Sequence, residues 1–333
     1  MVIKLIKIKI IFFYLIVISL LYILFEFSFR YFFNKFFSFT VELEHISNLE
    51  NITDYNYYYS NKIDFLDDNI GFKKNYKLKQ ISKNKIKKIS ITGDSVTLGV
   101  GTDKKFSQFL DNYILNEYII LNLSTENHGI YQIAHSFNEN NLLVNAEINL
   151  ITPIAHDLIR PGKTYMSSLL RPIYRLKDDK LKIIKNFDYD TYIKSYILSK
   201  KYFYNSFWNL KFIFDNRKYY FASFYGNFYS KIFYNSFKKL IDNKNGNEIV
   251  VLILPTSFSF YHKNFLVNLF KKTYNNNFSN EIKFIDIEAC VIKNLKADGI
   301  DYISATNLIH PSSSVHKAYG YCIHEKLKSL NIL

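Results

Sequence analysis

The sequence predicts an α/β fold: a flavodoxin-like three-layer α/β/α sandwich on a parallel sheet of about five strands, preceded by an N-terminal transmembrane helix. Three observations predict it. Short β-rich apolar runs alternate with stretches of helical spacing, the pattern of a parallel sheet covered on both faces. The residues with chemical potential fall in the segments that follow such runs, where right-handed crossovers gather the loops along one sheet edge. The N-terminus carries a long apolar run without charge.

That run, IIFFYLIVISLLYILF from Ile10 to Phe25, is about the length needed to cross a bilayer core, and apolar character resumes beyond Glu26 through Phe33. Lys4, Lys7 and Lys9 precede it, which favours a cytoplasmic N-terminus and an exported remainder; Arg30 and Lys35 follow, so the charge asymmetry is modest. A cleaved signal peptide is the alternative, but the run is long and bulky residues stand where a small-residue cleavage site belongs. Residues 1–37 are therefore expected to be an uncleaved, single-pass membrane anchor with the rest of the chain extracytoplasmic. Residues 38–85 are polar, rich in Asn and Tyr, and read as a stalk or entry segment ending in the basic run Lys83–Lys88.

The domain proper is expected over 86–333. Strands are predicted at Ile89–Thr92, Tyr118–Leu123, Ile148–Ile154, Glu248–Leu254 and Lys283–Ile287. Helices are predicted at Phe106–Leu115, Gln132–Val144 and Ser314–Leu330. Between them, residues 161–247 form an aromatic-rich insertion that includes Trp208, the single tryptophan. It reads as a helical insertion packed on the core, or as a lid or membrane-facing surface, since Tyr, Trp and Lys suit an interface.

Composition excludes some classes of function. With 48% hydrophobic and 22% charged residues the chain is globular rather than disordered. The net charge of +14 would suit nucleic acid, anionic lipid or an acidic glycan, but lysine is spread along the chain and no nucleic-acid motif is present. Cys290 and Cys322 lack the spacing of a zinc site; the default for both is a buried, inert thiol, with one bridge as the alternative in an oxidising compartment. His128, His135 and His316 show no ligand spacing, so neither metal nor cofactor is expected.

The chemistry centres on Gly93-Asp94-Ser95-Val96-Thr97-Leu98-Gly99, where a strand hands over to a helix. Gly93 permits a tight turn and Ser95 lands at the start of the helix, where free backbone N–H groups favour a developing oxyanion. Asp94 suits a loop-holding role through backbone hydrogen bonds. Serine needs a base, and His310-Pro311-Ser312, just before the last helix, offers one.

These two blocks together resemble the SGNH hydrolases, or GDSL-type lipases and acylhydrolases, over about 85–330. The resemblance implies Ser95 as nucleophile and His310 as base. It places Asn307 where the family has the aspartate that orients the histidine, with Asp298, Asp301 or a bare Ser95–His310 dyad as alternatives. It implies an oxyanion hole from the backbone of Ser95, from Gly129 or Asn127 in the second block, and from His156, which stands where the family has asparagine. Asn307 can hold an imidazole but cannot offset its charge.

The implied activity is that of a serine esterase or O-acyltransferase acting on O-acyl groups, O-acetyl above all, of an envelope or exported carbohydrate. A membrane acyl-donor partner would serve the transferase. The alternatives are a catalytically weak or inactive protein of this fold that binds a glycan or membrane partner, and a lipase with an apolar acyl groove formed by the insertion.

Overall fold

The computed structural model describes residues 2–36, 87–114, 118–124, 128–162, 174–177, 180–183, 214, 217–242, 244, 246–256, 262–306 and 310–333. The stalk over 38–85, most of the insertion with Trp208, and the expected site residues Asn127 and Asn307 lie outside them.

The chain divides into two units. One includes α1 (Val2–Phe36), a continuous helix whose apolar side chains between Ile10 and Phe27 are largely exposed where described. Among the described residues no helix is long and apolar enough to cross a membrane, so the transmembrane span stays an inference from sequence.

The other unit is built on a parallel five-stranded sheet of β1 (Lys87–Gly93), β2 (Tyr118–Asn122), β3 (Ile148–Thr152), β6 (Glu248–Val251) and β7 (Lys283–Phe284), in the order β2-β1-β3-β6-β7. The order reverses between β1 and β3. That reversal opens a crevice at the carboxyl edge, where sites form in such sheets. A separate antiparallel pair, β4 (Tyr174–Lys177) and β5 (Lys180–Ile183), lies outside this sheet.

The strands are nearly continuous in burial because both faces are covered. In β6 and its extension the pleat sends Val250 and Leu252 to one core and Ile249 and Val251 to the other. The first core is closed by α3 (Phe106–Ile114), α9 (Glu288–Ala297) and α11 (Ser313–Ser329), through Leu110, Val291 and Tyr319. The second is closed by α4 (Ile130–Val144), α7 (Gly226–Ile241) and α8 (Lys263–Asn277), through Phe137, Phe237 and Phe270. The architecture is therefore the expected three-layer α/β/α arrangement.

Helix α7 falls inside 161–247, and Tyr229, Phe233 and Phe237 on it are fully buried. Burial at Tyr229, Ile232, Phe233, Ser236, Phe237 and Leu240 follows a helical stripe, by which α7 packs on the core. Each such aromatic contributes roughly 1.5–3 kcal/mol of burial.

Two features bring α11 to the site. A Cβ at Gly320 would come within 2.8 Å of Phe109 Cβ and 3.0 Å of Leu110 N, so only glycine lets α11 lie against the backbone of α3. Cys290 on α9 and Cys322 on α11 are joined in a disulfide, which replaces the inert thiols expected by default. Their helices pack side by side on the sheet, and that packing is what sequence spacing alone does not convey.

Candidate active site

At the end of β1 the chain turns into α2 (Ser95–Leu98). A Cβ at Gly93 would lie 2.2 Å from Thr97 Oγ1 and 2.6 Å from Thr152 Oγ1, so the turn admits no side chain. Asp94 is the N-cap of α2 and accepts the Val96 N–H at 3.0 Å. The Thr97 hydroxyl donates to the Thr152 carbonyl at 2.8 Å, pinning α2 to the end of β3. Ser95 thus occupies the first turn, with a relative exposure of 6%.

His310 Nε2 lies 3.1 Å from Ser95 Oγ, although the residues are 215 apart in sequence. The segment that carries His310 is held to the α2–α3 connection. Thr102 Oγ1 and Ser313 Oγ are hydrogen-bonded at 2.7 Å, and the Lys104 N–H donates to Ser313 Oγ at 3.3 Å. Gly101, with φ +76°, passes close to the imidazole-bearing carbon: a Cβ there would lie 3.6 Å from His310 Cβ.

His316 is fully buried close by and its Nδ1 accepts the Phe106 N–H at 3.3 Å. Burial first, then the neighbouring charges of His310 and Lys105, lower its pKa to about 4. It is a neutral helix-capping imidazole at neutral pH. Tyr319 donates its hydroxyl to the Pro255 carbonyl and fixes α11 over the loop after β6.

The alternative carboxylates are committed elsewhere. Asp301 accepts from the N–H and hydroxyl of Ser304 at 2.8 and 2.7 Å, capping α10 (Tyr302–Thr306), and these bonds hold its pKa below the usual carboxylate value. Asp298 faces Lys317 at 3.7 Å on the surface.

Of the expected oxyanion donors, Ser95, Gly129 and His156 fall among the described residues. Gly129 donates its N–H to Gln132 Oε1 at 2.7 Å, the side-chain-to-backbone half of a cap on α4, so this amide is directed at Gln132 rather than at Ser95. His156, on α5 (Ala155–Ile159) after β3, has its Nε2 3.2 Å from the Tyr219 hydroxyl on α6 (Arg217–Tyr220). Tyr219 comes from the aromatic stretch, so that stretch reaches the loop after β3.

The sequence reading missed a buried ionic cluster behind Ser95. Asp157 accepts the Ile154 N–H on Oδ2 at 2.8 Å and meets Arg160 Nη1 on Oδ1 at 2.5 Å. The same Arg160 nitrogen donates to the His128 carbonyl at 2.7 Å and lies 3.5 Å from Asp94 Oδ2. The only signal was the three-residue spacing of Asp157 and Arg160 on a helix.

No family model matches the chain, and no curated protein matches it. Solved structures similar to it include a lipase from a goat rumen metagenome, at 16% identity and TM-score 0.41, covering 72% of this chain and 96% of the lipase. A GDSL-like lipase from Bacteroides thetaiotaomicron is 10% identical with TM-score 0.39, covering 83% and 98%. A catalytic mutant of an acetylxylan esterase from Geobacillus stearothermophilus is 11% identical with TM-score 0.41, covering 72% and 94%.

Proposed function

We propose that this chain is an SGNH-type serine acylhydrolase or O-acyltransferase that removes or transfers acyl groups, acetyl above all, on an envelope or exported carbohydrate. The observation that carries the reading is the 3.1 Å separation of His310 Nε2 and Ser95 Oγ at the carboxyl edge of a parallel sheet. A serine hydroxyl is a weak nucleophile until a base takes its proton, and this geometry is within the reach that transfer needs.

In the reaction, Ser95 Oγ attacks the acyl carbon while His310 takes its proton. The tetrahedral intermediate collapses, and the departing sugar oxygen takes the proton from His310. Water, or a second sugar hydroxyl, then attacks the acyl-serine, giving its proton to His310; Ser95 Oγ leaves and is reprotonated. Water as acceptor makes an esterase and a hydroxyl makes a transferase, for which a membrane partner would supply the acyl donor. Ser95 N–H, at the first turn of α2, is one oxyanion donor in this scheme, with Asn127 and His156 as the others. Asn307 is the residue assigned to orient His310.

We place the catalytic unit outside the cytoplasm, tethered by a transmembrane α1. The uncharged run Ile10–Phe25 behind Lys4, Lys7 and Lys9 supports the tether. The Cys290–Cys322 bridge supports an oxidising compartment.

The engagement of the Gly129 amide by Gln132 favours a second reading, a weak or inactive protein that binds an acylated glycan or a membrane partner. Release of p-nitrophenol from p-nitrophenyl acetate by the detergent-solubilised chain separates the two. Activity abolished in both Ser95→Ala and His310→Ala supports the enzyme; folded wild type no faster than either variant supports the binder.

A further inference from the structure

Arg160 lies just past α5, and its side chain is 10% exposed. Its Nη1 meets acceptors from three segments: Asp94 Oδ2 after β1, the His128 carbonyl after β2 and Asp157 Oδ1 after β3. These are the segments that carry Ser95, Asn127 with Gly129, and His156.

Each carboxylate in the cluster divides its work. Asp94 uses Oδ1 to hold the Val96 N–H and presents Oδ2 to both Arg160 and the Ser95 hydroxyl, each at 3.5 Å. Asp157 uses Oδ2 to hold the Ile154 N–H and Oδ1 to meet Arg160. Gly129 closes against the stem of the same arginine, since a Cβ there would lie 3.1 Å from Arg160 Cβ. One guanidinium nitrogen therefore ties three turns together, through hydrogen bonds to His128 and Asp157 and an ion-pair contact with Asp94; a lysine ammonium, standing where the guanidinium has its central carbon, ends one atom short of that nitrogen.

The electrostatics add a second demand. Asp94 and Asp157 are both 0% exposed, and buried carboxylates require partners. An unneutralised Asp94 beside Ser95 would oppose the negative charge that develops on the acyl oxygen. Arg160 offsets it.

We infer that Arg160 is a positioning residue for the acyl-transfer site, clamping the loops after β1, β2 and β3 in register and offsetting Asp94 as the oxyanion forms. The inference rests on the Ser95 acyl-enzyme reading above. It assigns to the clamp an effect on kcat rather than on substrate affinity, because the contacts of Arg160 hold the loops that carry the site.

The test uses the full chain in detergent, as wild type, Arg160→Lys and Arg160→Ala, with p-nitrophenyl acetate and active sites counted from the p-nitrophenol burst. Arg160→Lys keeps the charge, and its circular dichroism checks that it is folded. The expected result is a kcat per active site lower by about 100-fold, the effect of a lost oxyanion contact, with KM changed by less than about threefold. Methylguanidinium, but not methylammonium, restores at least about tenfold to Arg160→Ala. A merely structural arginine would reduce the number of burst-competent sites and leave kcat per site unchanged; that outcome overturns the inference. If wild type turns over no faster than Ser95→Ala, the Ser95 reading fails. The clamp is then judged by hydrogen exchange at Val96 and Ile154: faster exchange in Arg160→Lys upholds it, and unchanged exchange overturns it.

Discussion

The Tyr219 hydroxyl lies 3.2 Å from Nε2 of His156, joining the aromatic stretch to the loop that leaves β3. In the proposed reaction, where His156 is an oxyanion donor, this contact engages one of its two ring nitrogens. Tyr219→Phe removes it. A lost partner of this kind amounts to about 1 kcal/mol, so kcat for p-nitrophenyl acetate is expected to fall roughly fivefold with KM unchanged. An unchanged kcat would detach Tyr219 and His156 from the chemistry.

His316 predicts a pH dependence of stability. Its folded pKa, about 4, lies below that of an unfolded histidine, about 6.5. Above pH 6.5 both states are neutral and its contribution is complete. As the pH falls from 6.5 toward 4 the unfolded chain takes up the proton first, and on the order of 3 kcal/mol is lost. Urea unfolding at pH 7 and pH 4 measures it, and the difference should be smaller by that amount in His316→Gln. Equal pH slopes in the two proteins would contradict the buried, neutral assignment.

The Cys290–Cys322 bridge spans a sequence separation of 32, which by loop-closure entropy amounts to about 3–4 kcal/mol. Thermal unfolding with and without dithiothreitol should differ by about 10 °C. The shift should vanish in the Cys290→Ala, Cys322→Ala double variant.

Gly320→Ala places a methyl against the backbone of α3. The helices must separate, at about 1–3 kcal/mol. Denaturant melts should show this loss, and a neutral outcome would mean that α11 and α3 are farther apart than the fold described above.

Much of this was legible in the sequence, and the reason is local. Buried parallel strands are short apolar runs, and all of the predicted ones formed strands. The third ended at Thr152 rather than Ile154 because Pro153 has no N–H for the ladder. The fourth ended at Val251, with Leu254 retained as an isolated bridge to Ile154. At the site, Ser95 and His310 could be read because each stands in its own local motif. Arg160 could not: its partners Asp94, His128 and Asp157 leave three different strands, and only the sheet order brings them together.

The central claim is that Ser95 forms an acyl-enzyme with His310 as its base. The most direct measurement is mass spectrometry of the intact chain quenched during turnover of p-nitrophenyl acetate, with peptide mapping of the adduct. The account predicts an acetyl group on Ser95 in wild type, and accumulation slowed by at least about 100-fold in His310→Ala. An unmodified Ser95 in turning-over protein, or acetylation of Ser95 at the same rate without His310, would contradict it.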